Sequence, residues 1–275
     1  MKRNFLKGIW LFFLFLIINI TISATTNKSP SSKNDNTVIL YIVRHGKTML
    51  NTTDRVQGWS DAVLTPAGIE VAEYLGEGLK AKKIKFVAAY SSDSGRSIQT
   101  ADIILKKSKQ QKLPLKTDWR LREFNFGSYE GEFNHVMWTE IAEKQGKTMK
   151  EWFDAGVSEK DFANSVAELD KSKTKEGVNW PAEDYETIVT RLKAGIDDIV
   201  KEVGKNGGGN VLVVSHGLSI VALVNYLDPE AKANIGLKNA SVTKITYKNG
   251  KYTIDTVGDM SFVELGQELK NRYDK

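Results

Sequence analysis

The 275-residue chain contains no cysteine. Disulfides, thiolate catalysis and cysteine-ligated metals are excluded together, and so is lipid attachment at an N-terminal cysteine. Histidine is sparse, with three residues, so where each one falls carries information. Long apolar runs are missing apart from Ile9–Ile22, which is shorter than the roughly 20 residues that span a bilayer comfortably. A strong charge bias is missing too. The formal balance is +5, but Lys2, Arg3 and Lys7 sit at the extreme N-terminus, and without them 36 basic residues face 34 acidic ones. That is too near neutrality to argue for nucleic acid or an anionic surface as partner. What remains is ordinary for a globular protein, at 41% hydrophobic and 27% charged, and long enough to bury a sizeable core.

The N-terminus has its own pattern. Three basic residues precede the apolar run, and the small, polar stretch Thr21–Thr26 follows it. This order describes an export signal over residues 1–24, with cleavage after Ser23 or Ala24. The alternative is an uncleaved anchor, which would be the chain's one link to a membrane. Either way the remainder is expected to be secreted or held at the cell surface. Residues 25–36 are a polar, Ser/Asn-rich spacer without apolar periodicity, so the folded domain should begin near Thr37.

From there the pattern alternates. Val38–Val43 reads as a buried strand ending in Arg44-His45-Gly46. Thr65 and Pro66 supply an N-cap and a first helical residue for a helix to Lys80. A second strand, Phe86–Tyr90, leads into Ser91-Ser92-Asp93-Ser94-Gly95-Arg96 and a helix over Ser97–Lys107. Leu113–Thr117 begins an extended segment into Trp119–Gly131. Residues 132–180 leave this rhythm and are rich in aromatics, including Trp138, Trp152, Phe153, Phe162 and Trp180. They read as a helical insertion over the site, its tryptophans forming a small core, with substrate contact by one of them as the alternative. Ala182–Val203 is a long amphipathic helix. Asn210–Val214 is a buried strand ending in Ser215-His216-Gly217, and an Asn249-Gly250 hairpin closes the pattern. The expected fold is an α/β/α sandwich with a mainly parallel central sheet. The domain spans residues 37–262, leaving 263–275 as a tail.

Parallel strands share one carboxyl rim, where open α/β sheets collect ligands. Arg44 and His45, Arg96, and His216 therefore converge on one mouth. Guanidinium forks match phosphate oxygens and stay charged at any working pH. An imidazole beside them is a usable nucleophile near neutrality. The second histidine, in its protonated form, could stabilise charge on the equatorial oxygens. Glu123 is by type the carboxylate best placed to give a proton to the departing oxygen.

The motifs Arg44-His45-Gly46-x-Thr48-x-x-Asn51, Gln57-Gly58, Leu64-Thr65-x-x-Gly68, Ser91-Ser92-Asp93-x-x-Arg96, Leu121-x-Glu123-x-x-x-Gly127, Val214-Ser215-His216-Gly217 and Asn239-Ala-Ser241 come in order over residues 38–262. Together they resemble the histidine phosphatase superfamily, in its phosphoglycerate-mutase-like branch. The resemblance implies a phosphohistidine on His45, a phosphate pocket of Arg44, Arg96, His216 and Gly217, and Glu123 as proton donor. It also implies that Asn51 and Gln57 help to hold a small phosphate monoester, and that no metal or other cofactor takes part.

Where the glycolytic mutases of that family carry Glu-Arg-His-Tyr-Gly, this chain has Glu123-Phe-Asn-Phe-Gly127. Leu218 stands where they have asparagine, and Lys47 where glutamate is common. The missing cations favour a phosphomonoesterase over a mutase. A phospho-ligand-binding protein without catalysis is the third possibility. His135 reads as a surface or packing residue. Arg120 and Arg122 alternate with Leu121, so strand periodicity would turn at least one to solvent.

Overall fold

The structure is a computed structural model that describes residues 36–175 and 177–273. The expected export segment and nearly all of the spacer lie outside the described residues. Among those residues, no helix is long and apolar enough to cross a membrane.

A six-stranded sheet forms the centre. Its strands are β1 (Val38–Arg44), β2 (Phe86–Ser91), β3 (Leu115–Thr117), β4 (Gly209–Ser215), β5 (Val242–Lys248) and β6 (Lys251–Asp259), in the order β3-β2-β4-β1-β5-β6. The pairs β2·β3, β2·β4 and β4·β1 are parallel, and β5 runs antiparallel to both of its neighbours. The hairpin turn has Asn249 at φ 52° and Gly250 at φ 80°. Both are left-handed, as a two-residue turn between twisted strands requires.

Period-two alternation explains why the central strands are buried on both sides. Val38, Leu40 and Ile42 of β1, with Val211 and Val213 of β4, face one core. Tyr41 and Val43, with Leu212 and Val214, face the other. On the first face lie α7 (Tyr185–Lys205) and α8 (Gly217–Leu227); on the second lie α2 (Pro66–Ala81), α3 (Gly95–Lys107) and α9 (Ser261–Tyr273). Thr65 caps α2 by accepting from Gly68 N, with Pro66 in the first turn. The short α1 (Met49–Thr52) starts at a capping box between Thr48 and Asn51.

Residues 134–170 form α4 (Asn134–Lys144), α5 (Met149–Asp154) and α6 (Glu159–Asp170). Met137, Ile141, Trp152, Phe162 and Val166 join the core of the α7/α8 face rather than making one of their own. Trp180 departs from the expected tryptophan core, being 70% exposed and edge-on to Trp59 at 5.4 Å. His135 stacks on Phe133.

Two further segments take definite form. The tail residues up to Tyr273 belong to α9, which packs closely along α2. The contact runs through glycines, so it leaves little apolar pattern to read: a Cβ on Gly78 would sit 1.8 Å from the Phe262 carbonyl oxygen, and one on Gly266 1.9 Å from that of Tyr74. Residues 119–121 form a 3-10 turn capped by Asp118, not a strand. Arg120 is held by Asp118 and Asp198, and Arg122 by Asp93 while lying over the Trp59 ring.

Candidate active site

Parallel pairing sets Arg44 of β1 opposite Ser215 of β4, so the residues that follow each strand emerge side by side. His45 and His216 meet with ring centroids 5.2 Å apart. Both are buried, at 4% and 0% exposure. His45 N is held by the Ser215 carbonyl at 3.0 Å, its own carbonyl accepts from Asn239 Nδ2 at 2.8 Å, and Gly46 N donates to Thr100 Oγ1 at 3.0 Å.

Hydrogen bonding fixes both tautomers. His45 Nδ1 lies 2.8 Å from the Gly46 carbonyl oxygen. A carbonyl only accepts, so Nδ1 carries the proton and Nε2 keeps its lone pair. Burial first, then Arg96 and Arg44, hold the His45 pKa well below the ordinary imidazole value, which keeps the ring neutral and nucleophilic. On His216, Nδ1 receives Arg96 Nη2 at 3.0 Å, so its proton sits on Nε2, 2.8 Å from Ser92 Oγ. Burial, Arg96 and His45 push its pKa well down as well. The protonated form expected for His216 is therefore not the form this site holds. An uncharged ring serves instead to receive and aim a guanidinium.

Arg96 is fully buried. It donates to Ser60 O, Asp61 Oδ1 and Gly58 O at 2.9, 2.9 and 2.7 Å. Arg44 donates through Nη1 to the Leu237 carbonyl. A Cβ on Gly217 would lie 3.2 Å from Arg44 Nε, so glycine leaves that edge of the guanidinium open. Gln57 accepts from Thr48 Oγ1 at 2.6 Å, which turns its amide N–H₂ the other way. Three buried donors, Arg44 Nε, Arg96 Nε and Gln57 Nε2, have no protein partner. Unpartnered buried donors call for an explanation, and two cationic ones beside a neutral imidazole suit a phosphoryl group.

Glu123 is 7% exposed. Its carboxylate accepts from Leu218 N and Ser219 N at 3.1 and 2.8 Å, in the first turn of α8, and from Ser219 Oγ at 2.9 Å. Glu130, the other acid nearby, is taken up by the backbone N–H groups of Gly58, Trp59, Ser60 and Phe126. Arg44, Gln57, Glu123, Gly217 and Asn51 share the wall of one cavity of about 360 Å³. The Asn51 side-chain Oδ1 accepts from Thr48 N at 3.2 Å, within the capping box. Lys47 is exposed and gives the site its backbone oxygen, which accepts from Thr65 N and Oγ1.

The sequence assigned no role to Asp61, to Ser219 or to Ser92 within its motif, which hold Arg96, Glu123 and His216 respectively. Nor did it single out Arg191, whose one visible signal is an arginine among the apolar positions Ile188, Leu192 and Ile196 of α7.

A family model described as histidine phosphatase superfamily (branch 1) matches residues 40–260. The 2,3-bisphosphoglycerate-dependent phosphoglycerate mutase of Hamiltonella defensa subsp. Acyrthosiphon pisum (strain 5AT) is 32% identical over 192 residues, 69% of this chain and 77% of that protein. The crystal structure of phosphoglycerate mutase from Bacillus anthracis str. Sterne is 47% identical with a TM-score of 0.78, over 85% of this chain and 98% of that one. A mycobacterial glucosyl-3-phosphoglycerate phosphatase shares the fold at 22% identity and a TM-score of 0.59, over 81% of this chain and 99% of that one. The matched residues 40–260 include both histidines, both arginines and Glu123, and the chain belongs to the histidine phosphatase superfamily.

Proposed function

We propose that the protein is an exported phosphomonoesterase that works through a phosphohistidine on His45. Arg44, Arg96 and Gln57 draw the phosphoryl group onto their unpartnered N–H groups. His45 Nε2 attacks phosphorus, the P–O bond to the leaving group breaks in line, and Glu123 gives the departing oxygen its proton. Water then takes the phosphoryl group from His45 and gives up a proton that restores the Glu123 carboxyl.

The observation that carries hydrolysis over mutase transfer is the far wall of the cavity. Beyond the phosphate donors it is built from Met137, Trp138, Trp152, Phe153 and Phe162. A mutase must keep a bisphosphorylated intermediate, which calls for cations around a second phosphate. The basic residues lining this cavity are Arg44 and Arg55, and Arg55 gives one N–H to the Gly131 carbonyl at 2.7 Å and lies over the Phe133 ring. An apolar wall suits a leaving group that buries a ring or a chain. The second reading, phosphoglycerate mutase activity, rests on the names of the relatives 32% and 47% identical.

The test is a panel of phosphate monoesters with and without chelator, run beside 3-phosphoglycerate with a trace of 2,3-bisphosphoglycerate. Hydrolysis reads out as free phosphate that persists in chelator. Formation of 2-phosphoglycerate without phosphate release would replace this reading by the mutase. An acid-quenched phosphoenzyme should carry its label on His45, and His45→Ala should lower turnover by at least about a thousandfold. Export is checked separately, by the N-terminal residue of the protein recovered outside the cell.

A further inference from the structure

We infer that Arg191, on α7, is the positioning residue for the Glu123 proton donor; this rests on the acid role proposed for Glu123. Glu123 sits in the irregular segment 122–126, between two 3-10 turns. Carbonyls there have no helix or sheet ladder to hold them, and a buried carbonyl without a partner is costly. Arg191 supplies partners alongside Trp59 Nε1, which donates to the Glu123 carbonyl at 3.1 Å, and Ser219 Oγ, which donates to that of Arg122 at 2.8 Å. Nη1 donates to the carbonyls of Arg120 and Arg122 at 2.9 and 2.8 Å, and Nη2 to the carbonyl of Glu123 itself at 2.8 Å. Nε and Nη2 also reach Glu183 at 2.7 Å each. All five N–H groups of the guanidinium are used.

Glu183 completes the clamp. Its carboxylate accepts from Asn125 N at 3.0 Å, and its own N–H donates to the Asn125 carbonyl at 3.0 Å. Five contacts, to Arg120, Arg122, Glu123 and twice to Asn125, thus tie this segment to the buried Arg191–Glu183 pair, whose side chains are 5% and 9% exposed. The acid's side chain is received by α8, and its backbone is set from α7. Lysine cannot replace this fork, having three donors radiating from one point. Displacing a catalytic group by about an ångström is enough to cost a large factor in rate.

The test separates positioning from general stability by the leaving group. Arg191→Lys, Glu183→Gln and Glu123→Gln are assayed for kcat/KM on 4-nitrophenyl phosphate, whose leaving group departs without a proton, and on 2-glycerol phosphate, whose leaving group needs one. Loss of a general acid costs about a hundredfold or more. Arg191→Lys is expected to lose about that factor on glycerol phosphate and about threefold or less on 4-nitrophenyl phosphate. Glu123→Gln should show the same selectivity. Equal losses on both substrates from Arg191→Lys, with Glu123→Gln selective, overturn the positioning role. A Glu123→Gln variant that treats the substrates alike sinks the acid assignment instead. Should Arg191→Lys fail to fold, Glu183→Gln carries the test: it keeps the shape of the clamp and loses the charge. A selective loss there supports the inference, and none overturns it.

Discussion

One hydrogen bond decides the chemistry of His45. Because Nδ1–H donates to the Gly46 carbonyl, the attacking nitrogen is Nε2, and the site needs no separate base to free it. The same burial that protects the lone pair makes both histidines pH-sensitive elements of stability. Their folded-state pKa values lie well below 6.5, while the unfolded chain binds protons with ordinary affinity. The unfolded state therefore gains protons first as pH falls. The stability in question is complete above about pH 6.5 and is lost on going down through the window below it, by up to about 1.4 kcal/mol per pH unit for each ring. Urea midpoints at pH 7.5, 6.5 and 5.5 measure this, with His45→Gln as the reference for all other titrations. The wild type should lose more stability than the variant over that range; parallel curves would refute the assignment. By the same sign, the acid limb of kcat/KM should lie below pH 6.5.

Among the elements, α9 is tied to the domain by backbone proximity as much as by side chains. Gly78 of α2 meets the Phe262 carbonyl, and Gly266 of α9 meets that of Tyr74. Gly78→Ala pushes a methyl group against backbone, which cannot swing away as a side chain can. The expected cost is about 1–3 kcal/mol, or roughly 2–4 °C of Tm per kcal/mol in a domain of this size. Gly204→Ala on α7 is the control, since its Cβ would find its nearest neighbour at 3.7 Å and a helical glycine gains from the exchange. Thermal unfolding of the two variants should move apart, with Gly204→Ala at or above wild type. A Gly78→Ala protein as stable as wild type would mean that α9 is free to slide.

On the scale of the whole molecule, a rigid sheet rim presents the phosphate-handling groups while an insertion of helices builds the other half of the cavity. Trp138 stands edge-on to Phe153 at 5.2 Å in that wall. Trp138→Ala should raise KM for 1-naphthyl phosphate about tenfold, in line with about 1.4 kcal/mol of lost apolar contact. KM for 2-glycerol phosphate and kcat for both should change little, as expected for binding away from the reacting bonds. A uniform fall in kcat would place the insertion in catalysis rather than in substrate choice.

The sheet was legible in the sequence because β-branched runs such as Val38–Val43 and Val211–Val214 admit few other uses, and their carboxyl ends carry the rare histidines. Strand direction then brought Arg44, His45, Arg96 and His216 to one rim, since parallel neighbours end together. Glu123 was found by residue type, but the 3-10 turn before it read as strand, because three residues are too few for either period to declare itself. The close approach of α9 escaped notice because glycine contacts carry no hydrophobic signature. The tautomer and neutral state of His216 and the clamp on Glu123 were decided only by the tertiary structure. Each depends on a donor and an acceptor from distant segments, Arg96 with His216 and Arg191 with Glu123, which only the folded chain brings within 3 Å.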